Sequence, residues 1–562
     1  MTNGKFSSIL PRAASAILCA AVVAACSPAP ESGKSTNSPA ANAQADAVAK
    51  IFADYSKPDV PGCAVGVARD GNIIHAAAFG AADIEAKKPL TAQNVFNIAS
   101  TSKQFTAFSI LLLADRKQLK LDDPIVKYLP ELAKSAKDVT INDLIHHMGG
   151  LRDYMALLML QGYDYTQPTT KEQTLEALAR QQAPNSPPGV QFEYSNTGYF
   201  LLSNIIERVS GKSMKEFAAE NIFKPLQMND TSIVDHYPAN IPALARAYSP
   251  AEQGFKVDES TWEQTGDGQV HTTVSDLLRW SENYATGTVG GKELVHHMLE
   301  TGVLKSGKRL DYAFGQSVGE YRGLPMHRHA GGWAGYRTQL MRFPEQHLAV
   351  TVLCNRGDAN PTKLAEEVAD VYLPAEALQR PAIQAAIPSA PANAVELAKA
   401  TTGNYREAKT GRYIQLVREG DQGSLKLMGR DLPLKEAAPG VYAAGELAGL
   451  FVAFGDGNPA TLTLLSDDLP GEYTFAPAWV PAKLDAFAGT YDSPEAAAKL
   501  TLAVKDGVLT AQVGSESVAL QPGAEGEFHS DDGLALRFSS SKQPKEFLYF
   551  THGVSGLRFA RK

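Results

Sequence analysis

After Leu378 the apolar residues change their period, and this change constrains the fold more than any other feature of the chain. Before it, helical spacing dominates between two groups of strand-like runs. The segment from Arg380 to Ala394, built of Pro, Ala, Ile and Ser, reads as a linker. Beyond it come short alternating runs such as Tyr413–Val417, Ser424–Met428 and Ala460–Leu465, divided by Gly, Asp, Asn and Pro. The pattern predicts an α+β unit followed by an all-β region. A length of 562 residues, 44% of them hydrophobic, provides core for two or three domains.

The all-β part repeats itself. Gly403-Asn404-Tyr405 is echoed 86 residues later by Gly489-Thr490-Tyr491, and each copy continues with about eight short strands. Two small eight-stranded barrels over 395–480 and 483–562, with a seam near Pro481, leave no exposed edges, although one split barrel or sandwich also fits.

At the other end, Lys5 and Arg12 precede an apolar stretch from Ala13 to Ala25, short of the roughly 20 residues of a membrane span. Residues 1–25 read as a signal peptide. Val23-Ala24-Ala25-Cys26 resembles a bacterial lipobox, which makes Cys26 the lipid attachment point; an ordinary signal peptide with an incidental cysteine is the alternative. Residues 26–46, rich in Ser, Pro, Asn and Ala, read as a flexible tether. The expected address is the periplasm, with the lipid in the inner leaflet of the outer membrane and no other membrane contact. A net charge of −8 without a basic run excludes the footprint that nucleic acid requires.

Cys63 and Cys354 lie in strand-like runs. An oxidising compartment permits a disulfide between them, and two buried thiols fit equally. Metal-ligand spacing is absent: adjacent His146 and His147 point different ways and read as packing. Neither a metal nor a cofactor is expected. Gly162-Tyr163-Asp164-Tyr165 is an aromatic segment that lines a cleft or simply covers the domain.

Three motifs carry chemistry. Ser100-Thr101-Ser102-Lys103 stands where a strand-like approach (Val95 to Ile98) meets a strongly apolar helix predicted to run to about Leu121, and i,i+3 spacing puts Ser100 and Lys103 on one face. A serine hydroxyl needs a base within reach, and a desolvated lysine can be that base. The same spacing at Ser539-Ser540-Ser541-Lys542 falls in a polar turn and reads as inert. Tyr194-Ser195-Asn196 occupies a loop entering a second apolar helix. His329-Ala330-Gly331-Gly332 precedes a strand around Thr338–Phe343, where glycines let a substrate lie against the backbone.

In this order the motifs resemble those of the serine β-lactamase and penicillin-binding-protein superfamily, which includes class C β-lactamases, carboxypeptidases, esterases and D-aminopeptidases. Leu144–Leu151 and the run from Gly189 to Met228 resemble family segments too, so the likeness spans about residues 50–375 of a catalytic domain placed at 47–379. It implies a class C β-lactamase-like fold and an acyl-enzyme mechanism on a small peptide or ester. Ser100 would be the nucleophile, Lys103 its base partner and Tyr194 the general base that later protonates the leaving group. Asn196, His329, Gly331 and Gly332 would bind substrate, with an oxyanion hole from the Ser100 and Gly332 N–H groups. His329 stands where β-lactamases carry lysine, which puts efficient β-lactam hydrolysis in doubt. A catalytic domain followed by two barrels resembles bacterial D-aminopeptidases, and implies a loop within 430–480 reaching the active site; an ordinary solvated turn is the alternative reading of that segment. A silent protein that captures cell-wall peptides is the alternative outside enzymology.

Overall fold

The computed structural model describes residues 39–381, 388–408, 410–420, 422–427, 429–445, 450–465, 471–514 and 516–562. The signal peptide, Cys26 and the tether up to residue 38 lie outside these residues, as does the middle of the linker.

The catalytic region is built on one six-stranded antiparallel sheet in the order Ser317–Tyr321, Leu324–Trp333, Tyr336–Phe343, Leu348–Cys354, Cys63–Arg69, Asn72–Phe79. N-terminal and C-terminal strands meet in its middle, so the ends of the region close it. Period-two alternation sends Cys63, Val65 and Val67 to one face and Ala64 and Ala68 to the other. The first face packs under the helix Pro361–Tyr372. The second meets the helix Val274–Thr286, whose Val274 and Leu278 approach so closely that Gly66 has space for no larger residue without a shift. Cys63 pairs with Cys354 in the register of adjacent strands, and the two form a disulfide.

Residues 39–46, assigned by composition to the tether, instead open a helix, Pro39–Ile51. Its alanines favour helix, and Val48, with Phe52 just beyond, buries in the same cluster as Leu364 and Val368. The apolar helix after Ser100 is also shorter than expected. It spans Lys103–Asp115, with Lys103 to Leu113 buried, and ends where the polar stretch Arg116–Gln118 begins and Lys117 turns to positive φ.

The C-terminal region forms two closed eight-stranded barrels, the first with an added short strand, Ala394–Val395, on its rim. In the first, strands run in sequence from Gly403–Glu407 to Gly471–Phe475, and these two pair to close the ring. In the second, Gly489–Ser493 closes on Val554–Arg561. The repeated Gly-x-Tyr opens each ring. Both tyrosines are fully buried, and each phenol donates to a carbonyl four residues back, Tyr405 to Thr401 at 2.6 Å and Tyr491 to Phe487 at 2.9 Å.

The second barrel docks against the catalytic region. Arg152, its side chain 4% exposed, pairs with Glu495 in a barrel turn. Gln181 Nε2 donates to Glu495 O at 3.0 Å, Gln161 Nε2 to Ala496 O at 2.9 Å, and the Asp153 N–H to Gly553 O at 2.7 Å. The first barrel in turn packs on the second, with Arg406 and Tyr413 both bound to Glu527. These contacts with the catalytic region come from the second barrel; of the segment 430–480, where a loop toward the active site is expected, residues 446–449 and 466–470 lie outside the described residues.

Candidate active site

A short strand, Phe96–Asn97, pairs with Val270–Thr272 and delivers the chain into a tight turn, Ala99–Ser102. Ala99 has φ 47°, a left-handed conformation that costs a non-glycine residue of order 1 kcal/mol. The turn is held by side chains on every side. Asn97 Oδ1 accepts the Ala99 N–H at 2.8 Å, Ser102 Oγ accepts the Val270 N–H at 3.1 Å, and the Thr101 hydroxyl meets that of Thr338 at 3.2 Å. Ser100 is thus left at the pocket edge on a fixed backbone.

Lys103 begins the buried helix and is itself fully buried. Its Nζ lies 3.0 Å from Ser100 Oγ, 2.8 Å from Asn196 Oδ1 and 2.8 Å from the Asp267 carbonyl oxygen. Two of these neighbours can only accept, so two N–H groups are committed to them. The third position faces a hydroxyl able to donate or accept, which lets a proton pass between Ser100 Oγ and Lys103 Nζ. Asn196 is first in the helix Asn196–Ser210, capped by Ser195 Oγ on the Gly198 N–H at 3.1 Å. Tyr194, 39% exposed, places its ring 4.9 Å from Lys103 Nζ.

His329 lies ahead of the strand Tyr336–Phe343, as its sequence position indicates, and itself belongs to the preceding strand Leu324–Trp333, which runs through both glycines. The reason is packing: a Cβ on Gly331 would stand 2.3 Å from Ile98 O and 2.4 Å from Thr338 Oγ1, so this glycine lets the strand press on the nucleophile turn. Gly332, by contrast, lines the pocket. The His329 ring is buried, with Nδ1 2.5 Å from Ala330 O and Nε2 3.1 Å from the Tyr312 hydroxyl. That network assigns a neutral ring with the proton on Nδ1 and Tyr312 donating to Nε2. Burial, reinforced by the Lys103 charge, holds its pKa down to about 3. His329 therefore offers no permanent charge to a substrate carboxylate.

Both neighbouring histidines are buried as packing elements. His146 faces the Asn142 and Glu300 carbonyls, while His147 Nδ1 accepts the Ser195 N–H at 3.0 Å and its ring packs at a tilt on that of Tyr194, centroids 4.3 Å apart, fixing the second motif. Ser539 to Lys542 lie in an exposed turn of the second barrel. Among the described residues no three His, Cys, Asp or Glu side chains are grouped to hold a metal.

Beside Ser100 opens a cavity of about 230 Å³. Its walls include Tyr154, Trp262, Trp333 and Gln264, and its lining holds one formal charge, Asp267. Tyr165 of the aromatic segment stands behind this wall, 6.1 Å from the Trp333 ring. Asp267 escaped the sequence reading; Gly266-Asp267-Gly268, an acid between glycines just before a buried strand, was its one local signal. Tyr154, whose hydroxyl donates to Asp267 Oδ2 at 2.9 Å, and Tyr312 had none.

The beta-lactamase family model matches residues 48–373. Penicillin-binding protein 4* of Bacillus subtilis is 29% identical over 311 residues, covering 51% of this chain and 67% of that protein. A D-aminopeptidase of Cereibacter sphaeroides is 26% identical over 450 residues, covering 80% of this chain and 82% of that protein. The octameric penicillin-binding protein homologue from Pyrococcus abyssi shares the fold, with TM-score 0.53 at 23% identity over 77% of this chain and 99% of that one.

Proposed function

This chain belongs to the beta-lactamase family and is a serine hydrolase, and from that premise we propose that it cleaves amide bonds next to D-residues, in short peptides or cell-wall fragments, through an acyl-enzyme. The observation that carries the reading is the contact of Lys103 Nζ with Ser100 Oγ at 3.0 Å, with Ser100 lining a pocket.

Ser100 Oγ adds to the substrate carbonyl as its proton passes to the Lys103 amine. The N–H groups of Ser100 and Gly332 collect the charge on the carbonyl oxygen. Tyr194, its ring 4.9 Å from Lys103 Nζ, hands a proton to the leaving amine and then draws one from the water that frees the acyl group, while Lys103 returns its proton to Ser100 Oγ. Asn196, its Oδ1 tied to Lys103, turns its amide toward the substrate backbone. The neutral His329 supports a substrate with no carboxylate at that position, and so disfavours β-lactams. The similarity to a D-aminopeptidase across most of both chains supports the same class. A lipid anchor at Cys26 would hold the enzyme in the periplasm, a placement that the Cys63–Cys354 disulfide supports.

The test is turnover of D- and L-alanine p-nitroanilides, p-nitrophenyl acetate and nitrocefin, with Ser100→Ala beside the native chain. Preference for the D-anilide, lost in Ser100→Ala, is expected. Ester turnover without either anilide would replace the reading by an esterase, and labelling of Ser100 without turnover of anything would replace it by a peptide-capturing protein.

A further inference from the structure

We propose that Asp267 is the anchor for a primary ammonium group on the substrate, so that the pocket selects acyl donors with a free amine. The inference deepens the amide-cleaving reading above and rests on its placement of the reacting carbonyl at Ser100.

Four observations meet here. Asp267 supplies the one formal charge in the lining of the cavity beside the nucleophile, and it is negative. The residue is 8% exposed, and its Oδ1 is buried without a hydrogen-bond partner, while Oδ2 accepts from Tyr154. A buried carboxylate oxygen left unpaired is costly, and a cationic ligand removes that cost. Lys103 does not fill this role: its three hydrogen-bonding positions are taken by Ser100 Oγ, Asn196 Oδ1 and the backbone oxygen of Asp267, not by the carboxylate. Finally, Tyr154, Trp262 and Trp333 give the cavity aromatic faces, which attract an ammonium group and not a carboxylate. The volume of about 230 Å³ suits one small residue.

Charged and titratable neighbours fix the pH window. Burial raises the Asp267 pKa to about 6 against the pull of Lys103 and the Tyr154 hydrogen bond, and Asp153, one residue before Tyr154, raises it further. An α-amine titrates near about 8. Ammonium binding is therefore strongest between about pH 6 and 8 and fades below as the carboxylate takes a proton.

The experiment measures protection of Ser100 from a fluorophosphonate label by D-alaninamide and by D-lactamide, in which a hydroxyl replaces the ammonium. It uses the full chain, native and Asp267→Asn, from pH 5 to 8. At pH 7.5 the native protein should be protected by alaninamide at a concentration at least about tenfold lower than by lactamide, since a charge-assisted hydrogen bond in a buried site is worth that factor. The gap should close as pH falls below about 6, and should be absent in Asp267→Asn. Because the readout is a ratio of two ligands on one protein, general damage to the site does not imitate it. Equal protection by the two ligands in the native chain, or a gap that survives in Asp267→Asn, would overturn the proposal. If the variant does not fold, the native pH profile decides alone. L-alaninamide protecting as well as its D-isomer, with the same Asp267 dependence, would support the ammonium site while overturning the D-selective reading.

Discussion

Replacing Glu495 by alanine should loosen the second barrel from the catalytic region, although this residue lies far along the chain from every site motif. Its carboxylate meets the Arg152 guanidinium, whose side chain is 4% exposed, and also takes the Gln182 N–H at 2.8 Å. Without it, Arg152 keeps Gln181 Oε1 at 2.8 Å and Ser555 O at 3.3 Å, both neutral. Breaking a buried ion pair by removing one partner costs about 3–5 kcal/mol, and the 16% exposure of Glu495 places this pair near the lower figure, about 3 kcal/mol. A cooperative unit of roughly 400 residues unfolds with an entropy of about 0.8 kcal/mol/K, so the midpoint should fall by roughly 4 °C. Differential scanning calorimetry measures this directly. Arg152→Met with Glu495→Leu removes both charges and should recover most of the loss. A midpoint within 1 °C of native (about 0.8 kcal/mol on the same scale) for Glu495→Ala, or a double variant as unstable as the single one, would refute the argument.

Other expectations follow from the same geometry. Gly331→Ala drives a Cβ into Ile98 O and Thr338 Oγ1 at 2.3 and 2.4 Å, so the nucleophile turn must move and turnover should drop about 100-fold or more; retained turnover would show that the strand can retreat. His329→Lys places a cation where a neutral ring now stands and should speed acylation by a fluorescent penicillin at least about tenfold, the gain of one charge-assisted contact; an unchanged rate would locate carboxylate recognition elsewhere. Asp267→Asn should stabilise the protein in a pH-dependent way. Burial holds this carboxyl at about 6, above its unfolded value of about 3.9, so native stability falls by about 3 kcal/mol as pH rises from about 4 to 6. The variant's melting advantage should grow across that window and stay level above it; an advantage independent of pH would contradict the burial of a charge.

How much of this was legible depends on whether a feature is local. Ser100 and Lys103 sit one helical turn apart, Tyr194 and Asn196 flank one helix start, and the apolar run Phe105–Leu113 declares its own burial, so these places could be read in order along the chain. The barrels were legible for a similar reason, because a glycine and a buried tyrosine must open each ring. Asp267, Tyr154 and Tyr312 were not, since an acid becomes notable only when folding strips it of water and partners. The sequence assigns Gly331 to substrate, whereas its missing Cβ lets the strand press on the nucleophile turn, a contact that only the fold reveals. Helix Pro39–Ile51 was missed because its polar alanine-rich face resembles a tether, and one buried face carrying Val48 settles the matter.

The docking of the second barrel has a consequence for the pocket that sequence order hides. Its turn at Gly553 reaches the catalytic region at Asp153, where a Cβ on the glycine would stand 2.5 Å from that of the aspartate, and Gly553 O takes the Asp153 N–H. Asp153 caps the helix Tyr154–Leu160 through the Ala156 N–H at 3.0 Å, and so sets where Tyr154 begins. The Tyr154 N–H donates to Thr197 Oγ1 at 2.8 Å, directly beside Asn196, and its hydroxyl holds Asp267. One barrel turn is thus three contacts from both the lysine-bound asparagine and the pocket acid. The first barrel packs behind the second, where Arg406 and Tyr413 bind Glu527 and the Tyr413 ring stacks on His529. A barrel that merely carried the enzyme would not need its turn wedged against this helix cap; the contact braces Tyr154, a wall of the pocket, from behind.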